Sequence, residues 1–529
     1  MPKCQFFSVT LHLERCETKM KNQLNKTFWL TLMVVAALLA LFYIPRISVG
    51  DTMLRRVNIL SDVQKRDDAG RIVAEVKADS EEGIVEEVMD STAVQVEKLN
   101  YEDQVPEGMV AIEDFADPSG IHREMDHFYA ALNQAGSRPV RIAYYGDSFI
   151  EGDIFTADLR ELLQQRFGGQ GVGWVDITHI ASGFRQTIRT NSSGWASHHN
   201  NEAKSYNSQL AGVNGHYFVP ANTGRFTLTC QKNVYGDHLG SARVATVYYS
   251  AGSNLNMTVS LNGEDPQVVR GGGAMPANPE PTYETIYQTV DSVTAEGDTM
   301  KVVREVRVKH EQQISEGAQS SVSGVQAERF TGPINSFTLT ASGSGRFYGV
   351  ALDGAQGVSV DNFSSRGSAG YFLANIPEET MRQFAQVRPY DLIVIHYGLN
   401  VANAKQTNYS GFNNQIGKAI RKMKACYPNA SILVVSISDR DQRGSDGQLH
   451  TMRGVTELRD YQRKLANDEH IAFWNLYDAM GGDGAMARMK ENKQANLDYT
   501  HINFAGGKHV AKILFDVLMN GKENYDRRH

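Results

Sequence analysis

Four polar side chains follow predicted strands or lie in predicted turns, where side chains with catalytic chemistry are often placed: Ser148, Asn400, Asp498 and His501. Ser148 follows a short β-branched and aromatic run, residues 141–145, through a Gly-Asp turn. A serine at such a strand end, close to the N-terminus of a following helix, has the placement of a nucleophile. Asp498 and His501 are three residues apart, so the carboxylate can orient the imidazole as a general base.

Two further positions could stabilise an oxyanion. Asn400 offers a side-chain amide after the apolar run 392–396, and Gly367 offers a backbone N–H that no Cβ obstructs. With the N–H of Ser148 they would complete an oxyanion hole, although Gly354 and Gly370 are nearby alternatives to Gly367. A Gly-Asp-Ser triplet alone is more often an ordinary turn. The full set in this order, each after a strand or in a turn, is hard to obtain by chance.

Strands and helices alternate on both sides of these residues. Helical spacing of apolar residues predicts helices at 119–134 (capped by Ser119), 155–167, 378–386, 410–425, 455–467 and 506–519. Short apolar runs predict strands at 141–145, 392–396, 432–436 and 471–475. Such alternation predicts an α/β fold, a doubly wound parallel sheet with helices on both faces and a site at the carboxyl ends of its strands.

Residues 184–345 have a different pattern. Short alternating runs are separated by Gly, Asn and Pro turns, and no long helical period intervenes. This pattern is typical of an antiparallel β-sandwich. We therefore predict an α/β core in two parts, 118–183 and 346–529, interrupted by a sandwich domain that either binds a ligand or shapes the cleft.

The motifs resemble those of SGNH/GDSL hydrolases. The family's four blocks are matched by Gly146-Asp147-Ser148, by Gly367, by Gly398-Leu399-Asn400 and by Asp498 through His501. The resemblance implies an SGNH/flavodoxin-like sheet, Ser148 as nucleophile, His501 as base oriented by Asp498, and an oxyanion hole of Ser148, Gly367 and Asn400. The chain departs from the family at Val401, where the asparagine is usually followed by Asp.

Within that family the chain is most similar to exported carbohydrate esterases with an inserted jelly-roll-like module, including peptidoglycan O-acetylesterases. The resemblance implies an acylated polysaccharide as substrate and no cofactor. Three functions stay open: an O-acetylesterase, an O-acetyltransferase that uses the same acetyl-serine intermediate, and an inactive membrane-tethered glycan-binding protein.

The N-terminal region predicts export. Residues 28–44 are continuously apolar and uncharged, with lysines before them, so they predict either a transmembrane anchor or a signal peptide cut near residues 48–50. Residues 1–27 would then be a cytoplasmic tail, and the polar, acidic residues 45–117 a linker. The expected location is the periplasmic face of the inner membrane, or the periplasm after cleavage.

Composition argues against other classes of function. A net charge of -7 without a basic stripe argues against nucleic-acid binding. The four cysteines are too few and too scattered for a disulfide framework, and none has zinc-site spacing. His198 and His199 are predicted to be loop residues with no metal, His396 a hydrogen-bonded core residue, and His509 a helix residue that is a poor base.

Overall fold

The computed structural model describes residues 48–49, 52–53, 102–116, 123–201, 206–252, 254–270, 282–293, 299–310 and 324–529. The chain divides into two compact units, residues 1–82 and 83–529. The predicted apolar segment 28–44 and the predicted cap Ser119 lie outside the described residues. Within the described parts, no helix is both long and apolar enough to cross a bilayer.

The strands, in chain order, are β1 (Ser48–Val49), β2 (Thr52–Met53), β3 (Glu113–Asp114), β4 (Pro139–Gly146), β5 (Gly173–Val175), β6 (Ile188–His199), β7 (His216–Cys230), β8 (Ala242–Ala251), β9 (Asn256–Leu261), β10 (Gln267–Arg270), β11 (Thr282–Val293), β12 (Thr299–His310), β13 (Gln326–Ile334), β14 (Ser336–Ser342), β15 (Gly345–Asp353), β16 (Gly357–Ser364), β17 (Leu392–His396), β18 (Ser431–Val435), β19 (Asp441–Arg443), β20 (Leu449–Thr451) and β21 (Ala472–Trp474). The α-helices are Asp126–Asn133, Thr156–Phe167, Gly236–Leu239, Glu378–Val387, Ser410–Cys426, Arg453–Asp468, Leu476–Ala479, Ala485–Glu491 and Phe504–Arg528. In the first unit, β1 and β2 pair as a short antiparallel hairpin.

The core of the second unit is a mixed sheet. Among the described residues its strand order is β16-β4-β17-β18-β21-β3. The first five strands are mutually parallel, and β17 has the bounds that its apolar run predicts. The prediction of a wholly parallel sheet is wrong at one edge, because β3 pairs antiparallel to β21. This strand has only two residues, which is too short for an alternating pattern to appear in the sequence.

The helices pack in two groups. Helix Phe504–Arg528 contacts helices Asp126–Asn133 and Thr156–Phe167, and helix Ser410–Cys426 contacts helices Glu378–Val387 and Arg453–Asp468. Crossover helices in two groups are what a doubly wound sheet requires. Helix Asp126–Asn133 follows a turn at 124–125. The prediction that this helix begins at residue 119 is therefore wrong over 123–125.

A separate antiparallel sheet confirms the prediction of a second β-rich region. In the described residues its strands run β10-β9-β14-β7-β15-β8-β13, with β6 paired to β7 and β5 paired to β15. The long strand β7 pairs with β14 over its C-terminal part and touches β15 through Phe218 and Phe347. Many buried side chains of this sheet form a hydrophobic cluster of their own, whereas others, such as Tyr248 and Tyr348, belong to the cluster of the core. The strands β5 and β15 extend this sheet beyond residues 184–345.

A buried polar network connects the two sheets. The guanidinium of Arg388 is fully buried and bonds Asp353 at the end of β15 and Asp361 on β16. It also donates to the hydroxyl of Tyr248 on β8, at 3.1 Å. Because a buried charge is costly unless it is paired and hydrogen-bonded, this network specifies one arrangement of the antiparallel sheet against the core.

The glycine-rich residues 168–172 form a loop between helix Thr156–Phe167 and β5. Gly169 has φ +125, and a Cβ there would lie 2.5 Å from the carbonyl oxygen of Val358. Glycine is therefore required for close passage of the loop over β16.

Candidate active site

Parallel register brings the three predicted strand ends together. Gly146 at the end of β4 pairs with Ser364 at the end of β16 and with His396 at the end of β17. The turns that follow carry Ser148, Gly367 and Asn400 respectively. The three positions therefore lie at one edge of the sheet, where sites form in open α/β folds.

The turn at Ser148 depends on the buried carboxylate of Asp147. Asp147 accepts the N–H of Phe149 at 3.0 Å, and those of Gly398 and Leu399 at 3.3 and 3.2 Å. Burial raises the pKa of Asp147 to about 6, although these three hydrogen bonds oppose the rise. Asp147 thus joins the Ser148 turn to the Asn400 turn, a role that the sequence analysis did not assign.

Ser148 begins a 3-10 helix, Ser148–Asp153, and the α-helix starts only at Thr156. The longer helix, predicted from residue 155, is confirmed to within one residue. The 3-10 segment is broken at Glu151 and Gly152, which have extended and left-handed backbone conformations. A favourable helix dipole at Ser148 therefore comes only from this short segment.

The predicted nucleophile, base and orienting carboxylate are connected by hydrogen bonds. Ser148 Oγ lies 2.9 Å from His501 Nε2, and His501 Nδ1 lies 2.8 Å from Asp498 Oδ2. The other carboxylate oxygen of Asp498 accepts the backbone N–H groups of Thr500 and His501, both at 3.0 Å. Burial alone would raise the pKa of Asp498, but the hydrogen bonds from His501 and Thr500 outweigh it and lower the pKa, so Asp498 is ionised at neutral pH. This geometry suits proton transfer from a serine.

The turn that carries Asp498 and His501 is positioned by the last helix and by β19. Tyr499 has φ 50, and its carbonyl accepts the N–H of Asp441 at 3.0 Å. In the first turn of helix Phe504–Arg528, a Cβ on Gly507 would lie 1.7 Å from the carbonyl oxygen of Ile154. Glycine therefore lets this helix approach the segment after Ser148 closely enough to bring the base to the nucleophile.

An acidic pair lies beneath this turn. Asp439 and Asp441 are both buried, with Asp439 accepting the N–H of Met486 and Asp441 that of Ala487. Burial, and the adjacent carboxylate of Asp439, raise the pKa of Asp441 to about 7. The pair therefore holds a proton at mildly acidic pH.

The two other predicted oxyanion donors are at the site edge, and their roles remain predictions. Gly367 has φ +73 in the exposed turn after β16. Asn400 is exposed, and its amide donates to the carbonyl of Ser368 at 3.1 Å, which leaves its second N–H for a ligand. Gly370 packs closely against the ring of Tyr397. Gly354 precedes β16 and lies at the amino ends of the strands, away from this edge.

The other histidines singled out in the sequence lie on regular elements. His198 and His199 lie on β6, so the prediction that they are loop residues is wrong; His199 packs edge-on to His216, with ring centroids 4.5 Å apart. His396 is buried, and its Nδ1 lies 3.2 Å from the hydroxyl of Tyr144, which confirms a hydrogen-bonded core residue. His509 is on the last helix, as predicted. In the part of the chain that the structure describes, no group of three or more His, Cys, Asp or Glu side chains could hold a metal ion.

The fold and this serine–histidine–aspartate arrangement define an SGNH-like hydrolase of carboxylic esters. Residues 320–507 match the GDSL-like Lipase/Acylhydrolase family. The matched stretch includes Gly367, Asn400, Asp498 and His501 but not Ser148. No curated protein matches the sequence.

The chain is also similar to solved structures. One described as a peptidoglycan O-acetylesterase in action is 20% identical, with a TM-score of 0.56, covering 78% of this chain and 99% of that one. A putative platelet activating factor from Streptococcus pneumonia is 19% identical with a TM-score of 0.25, covering 30% and 73%. A family two carbohydrate esterase from Cellvibrio japonicus is 9% identical with a TM-score of 0.22, covering 63% and 99%. Of these three, the first superposition is close enough to support a shared fold over most of the chain.

Proposed function

We propose that the protein is a serine esterase that removes O-acetyl groups from a cell-envelope polysaccharide, with peptidoglycan as its substrate. The observation that carries the proposal is the chain of hydrogen bonds from Ser148 Oγ through His501 to Asp498, at 2.9 and 2.8 Å. The likeness over most of the chain to a peptidoglycan O-acetylesterase supports the choice of substrate.

In the proposed reaction Ser148 Oγ attacks the acetyl carbonyl carbon while His501 Nε2 takes the hydroxyl proton. The oxyanion forms against the N–H groups of Ser148 and Gly367 and the amide of Asn400. The C–O bond to the sugar then breaks, and the sugar oxygen takes the proton from His501. Water attacks the acetyl-serine with the same base, which releases acetate and restores Ser148. The reaction requires no cofactor.

Exposure of the site favours water over a second sugar as the acetyl acceptor. The side chains of His501 and Asp498 are 38% and 50% exposed. An acyltransferase must keep water away from its acyl-enzyme, so an open base favours hydrolysis.

The antiparallel sheet, as a jelly-roll-like β-sandwich module, is proposed to help bind the glycan. A cleft at the site edge is lined by Gly152, Asn362 and Ser364 from the core and by Ile188 and Thr190 from β6. Residues 28–44 are proposed to export the chain and to anchor it at the periplasmic face of the inner membrane, or to be cleaved.

The test compares acetate release from O-acetylated peptidoglycan by wild type, Ser148→Ala and Ser137→Ala. Ser137 is an exposed turn residue before β4 and serves as the matched control. We expect Ser148→Ala to lose at least about 10³-fold in kcat, with Ser137→Ala unchanged. Mass spectrometry after brief exposure to an activated acetyl ester should show an acetyl adduct on Ser148. Equal rates for wild type and Ser148→Ala would exclude the serine mechanism, and acetyl transfer to an added glycan in preference to water would identify a transferase.

A further inference from the structure

An ion pair joins the turn of the nucleophile to the turn of the predicted oxyanion glycine. Arg366 directly precedes Gly367, and its Nε donates to both carboxylate oxygens of Glu151, at 2.9 and 2.7 Å, while its Nη2 also donates to one of them. Glu151 follows Ser148 by three residues. Its side chain is 8% exposed, whereas that of Arg366 is 56% exposed. We propose that Glu151 and Arg366 are positioning residues that set the distance between the Gly367 N–H and Ser148 Oγ.

The backbone hydrogen bonds described for the turn after β16 are made by residues on either side of Gly367. A Cβ added to Gly367 would meet no atom within 4 Å, so packing does not hold that residue. The hydrogen bond from Ser365 N to Gly146 O, at 2.9 Å, secures the start of the turn, and that from Ser368 N to Ser365 O, at 3.1 Å, closes it. On the other side, Glu151 lies at the break in the 3-10 helix, with φ -59 and ψ 145. The Glu151–Arg366 ion pair therefore adds a side-chain connection between the two turns at the residue next to Gly367.

A guanidinium is suited to that task. Its planar donors match a carboxylate in one orientation, which an ammonium does not reproduce. An ion pair with one exposed partner adds little to global stability, whereas a displacement of about 1 Å in a catalytic group can cost about 10²-fold in rate. The pair should therefore affect the chemical step much more than folding.

The inference rests on the proposed ester hydrolysis by Ser148, but not on the identity of the glycan. The full-length protein is therefore assayed with a small neutral acetyl ester, which Arg366 cannot recognise by charge. We expect Arg366→Met to lower kcat about ten- to hundredfold and to leave KM within about twofold. Arg366→Lys should be intermediate, because the ammonium retains the charge and loses the planar two-point geometry.

A double variant, Arg366→Met with Glu151→Gln, distinguishes two causes of lost activity: loss of positioning and the presence of an unpaired buried charge. Arg366→Met alone leaves the Glu151 carboxylate without its cation, and adding Glu151→Gln removes that charge. If the pair acts as a positioning unit, the double variant is no more active than Arg366→Met, and the two effects are non-additive. Recovery of kcat in the double variant would show that the stray charge caused the loss, which would overturn the proposal.

The chain offers a matched control away from the site. Arg463 on helix Arg453–Asp468 makes the same contacts with Glu113 on β3, with its Nε at 2.9 and 2.7 Å from the two oxygens. Its side chain is 54% exposed. We expect Arg463→Met to leave kcat unchanged and to shift the melting temperature about as much as Arg366→Met.

A second readout follows the oxyanion hole directly. The rate at which a neutral phosphonate labels Ser148 should fall in Arg366→Met by about the same factor as kcat, because phosphonylation also places a developing oxyanion against the Gly367 N–H. A kcat within about twofold of wild type, or a raised KM with unchanged kcat, would overturn the proposal. If Ser148→Ala is inactive while Arg366→Met is fully active, only the positioning role fails. If Ser148→Ala keeps full turnover, the proposed function itself fails.

Discussion

Replacing Asp498 by asparagine should impair the enzyme more than replacing it by alanine. One oxygen of Asp498 accepts two backbone N–H groups, those of Thr500 and His501, and the other faces His501 Nδ1. In Asp498→Asn the amide oxygen must remain opposite the two backbone donors, which turns the NH₂ group toward Nδ1. A donor there requires Nδ1 to be the acceptor, so the ring proton moves to Nε2 and faces Ser148 Oγ. That tautomer cannot take the serine proton.

The size of the effect follows from the contacts that would have to change. Flipping the new amide side chain to restore the tautomer loses two hydrogen bonds, about 1–3 kcal/mol in total. Loss of the carboxylate charge about 4 Å from an imidazolium costs about 1 kcal/mol in water and about 4 kcal/mol at an effective dielectric constant of about 20. Because Asp498 is 50% exposed, we take the lower part of that range. The expected losses in kcat/KM are about 10²–10³-fold for Asp498→Asn and about tenfold less for Asp498→Ala.

The assay is kcat/KM for a neutral acetyl ester at neutral pH, with ¹⁵N spectra of the imidazole to report its tautomer. The control is Asp446→Asn. Asp446 makes a similar contact with His450, at 2.9 Å and with both side chains about half exposed, in the exposed hairpin of β19 and β20. We expect that change to leave kcat/KM unaltered. The reasoning is refuted if Asp498→Asn is more active than Asp498→Ala, or if it stays within about threefold of wild type.

Two further predictions concern stability. Arg388→Met removes the buried cation that Asp353 and Asp361 share, leaves Asp353 with only Arg141 at 3.9 Å, and should lower the free energy of unfolding by about 3–5 kcal/mol. By contrast, Arg382→Met, on the exposed face of helix Glu378–Val387, should lower it by less than about 1 kcal/mol; equal denaturant midpoints would contradict this. Asp441 has a raised folded pKa of about 7 against an ordinary 3.8, so its protonated form stabilises the fold below about pH 4 and that contribution is lost as pH rises to about 7. Asp441→Asn stays neutral, and its melting temperature should fall less than that of wild type between about pH 5 and 8; parallel curves would show that Asp441 does not titrate in this range.

The regular elements of the core could be predicted because their sequence signals are local. Leu392–His396 is a continuous apolar run that a turn ends, and the strand has those bounds. Helix Ser410–Cys426 was predicted to within a residue at either end, because its apolar residues recur at helical spacing over about four turns. Elements of this length bury enough apolar surface on one face for the pattern to dominate.

Other elements lack such a local signal. β3 is a polar two-residue strand that exists only because the edge of β21 offers backbone hydrogen bonds. β5 is almost as short, with three residues. β15 was assigned by sequence to the resumed core, yet it pairs along β8 in the antiparallel sheet. Which sheet such a strand joins is decided by long-range pairing that single-sequence periodicity does not contain.

Some residues of the candidate site could likewise be predicted from the sequence, and others could not. Residue type and position at strand ends were enough to select Ser148, Asp498 and His501, and the structure places them within hydrogen-bonding distance. The connection between Glu151 and Arg366 spans 215 residues of sequence. Neither residue carries a recognisable motif, so only the folded arrangement reveals the pair.

The arrangement also explains why the family match begins at residue 320 and leaves the nucleophile out. The residues of β6 to β14 separate β4 from β16 in the sequence. In the sheet, however, β4 lies between β16 and β17 and pairs with both along its length. A parallel sheet joins its strands by crossovers, and the size of a crossover does not alter the register of the strands that it connects. The antiparallel sheet could therefore be accommodated in the crossover between β4 and β16 without displacing the strand end that carries Ser148. This position also puts Ile188 and Thr190 of β6 against a cleft that Asn362 and Ser364 of β16 also line.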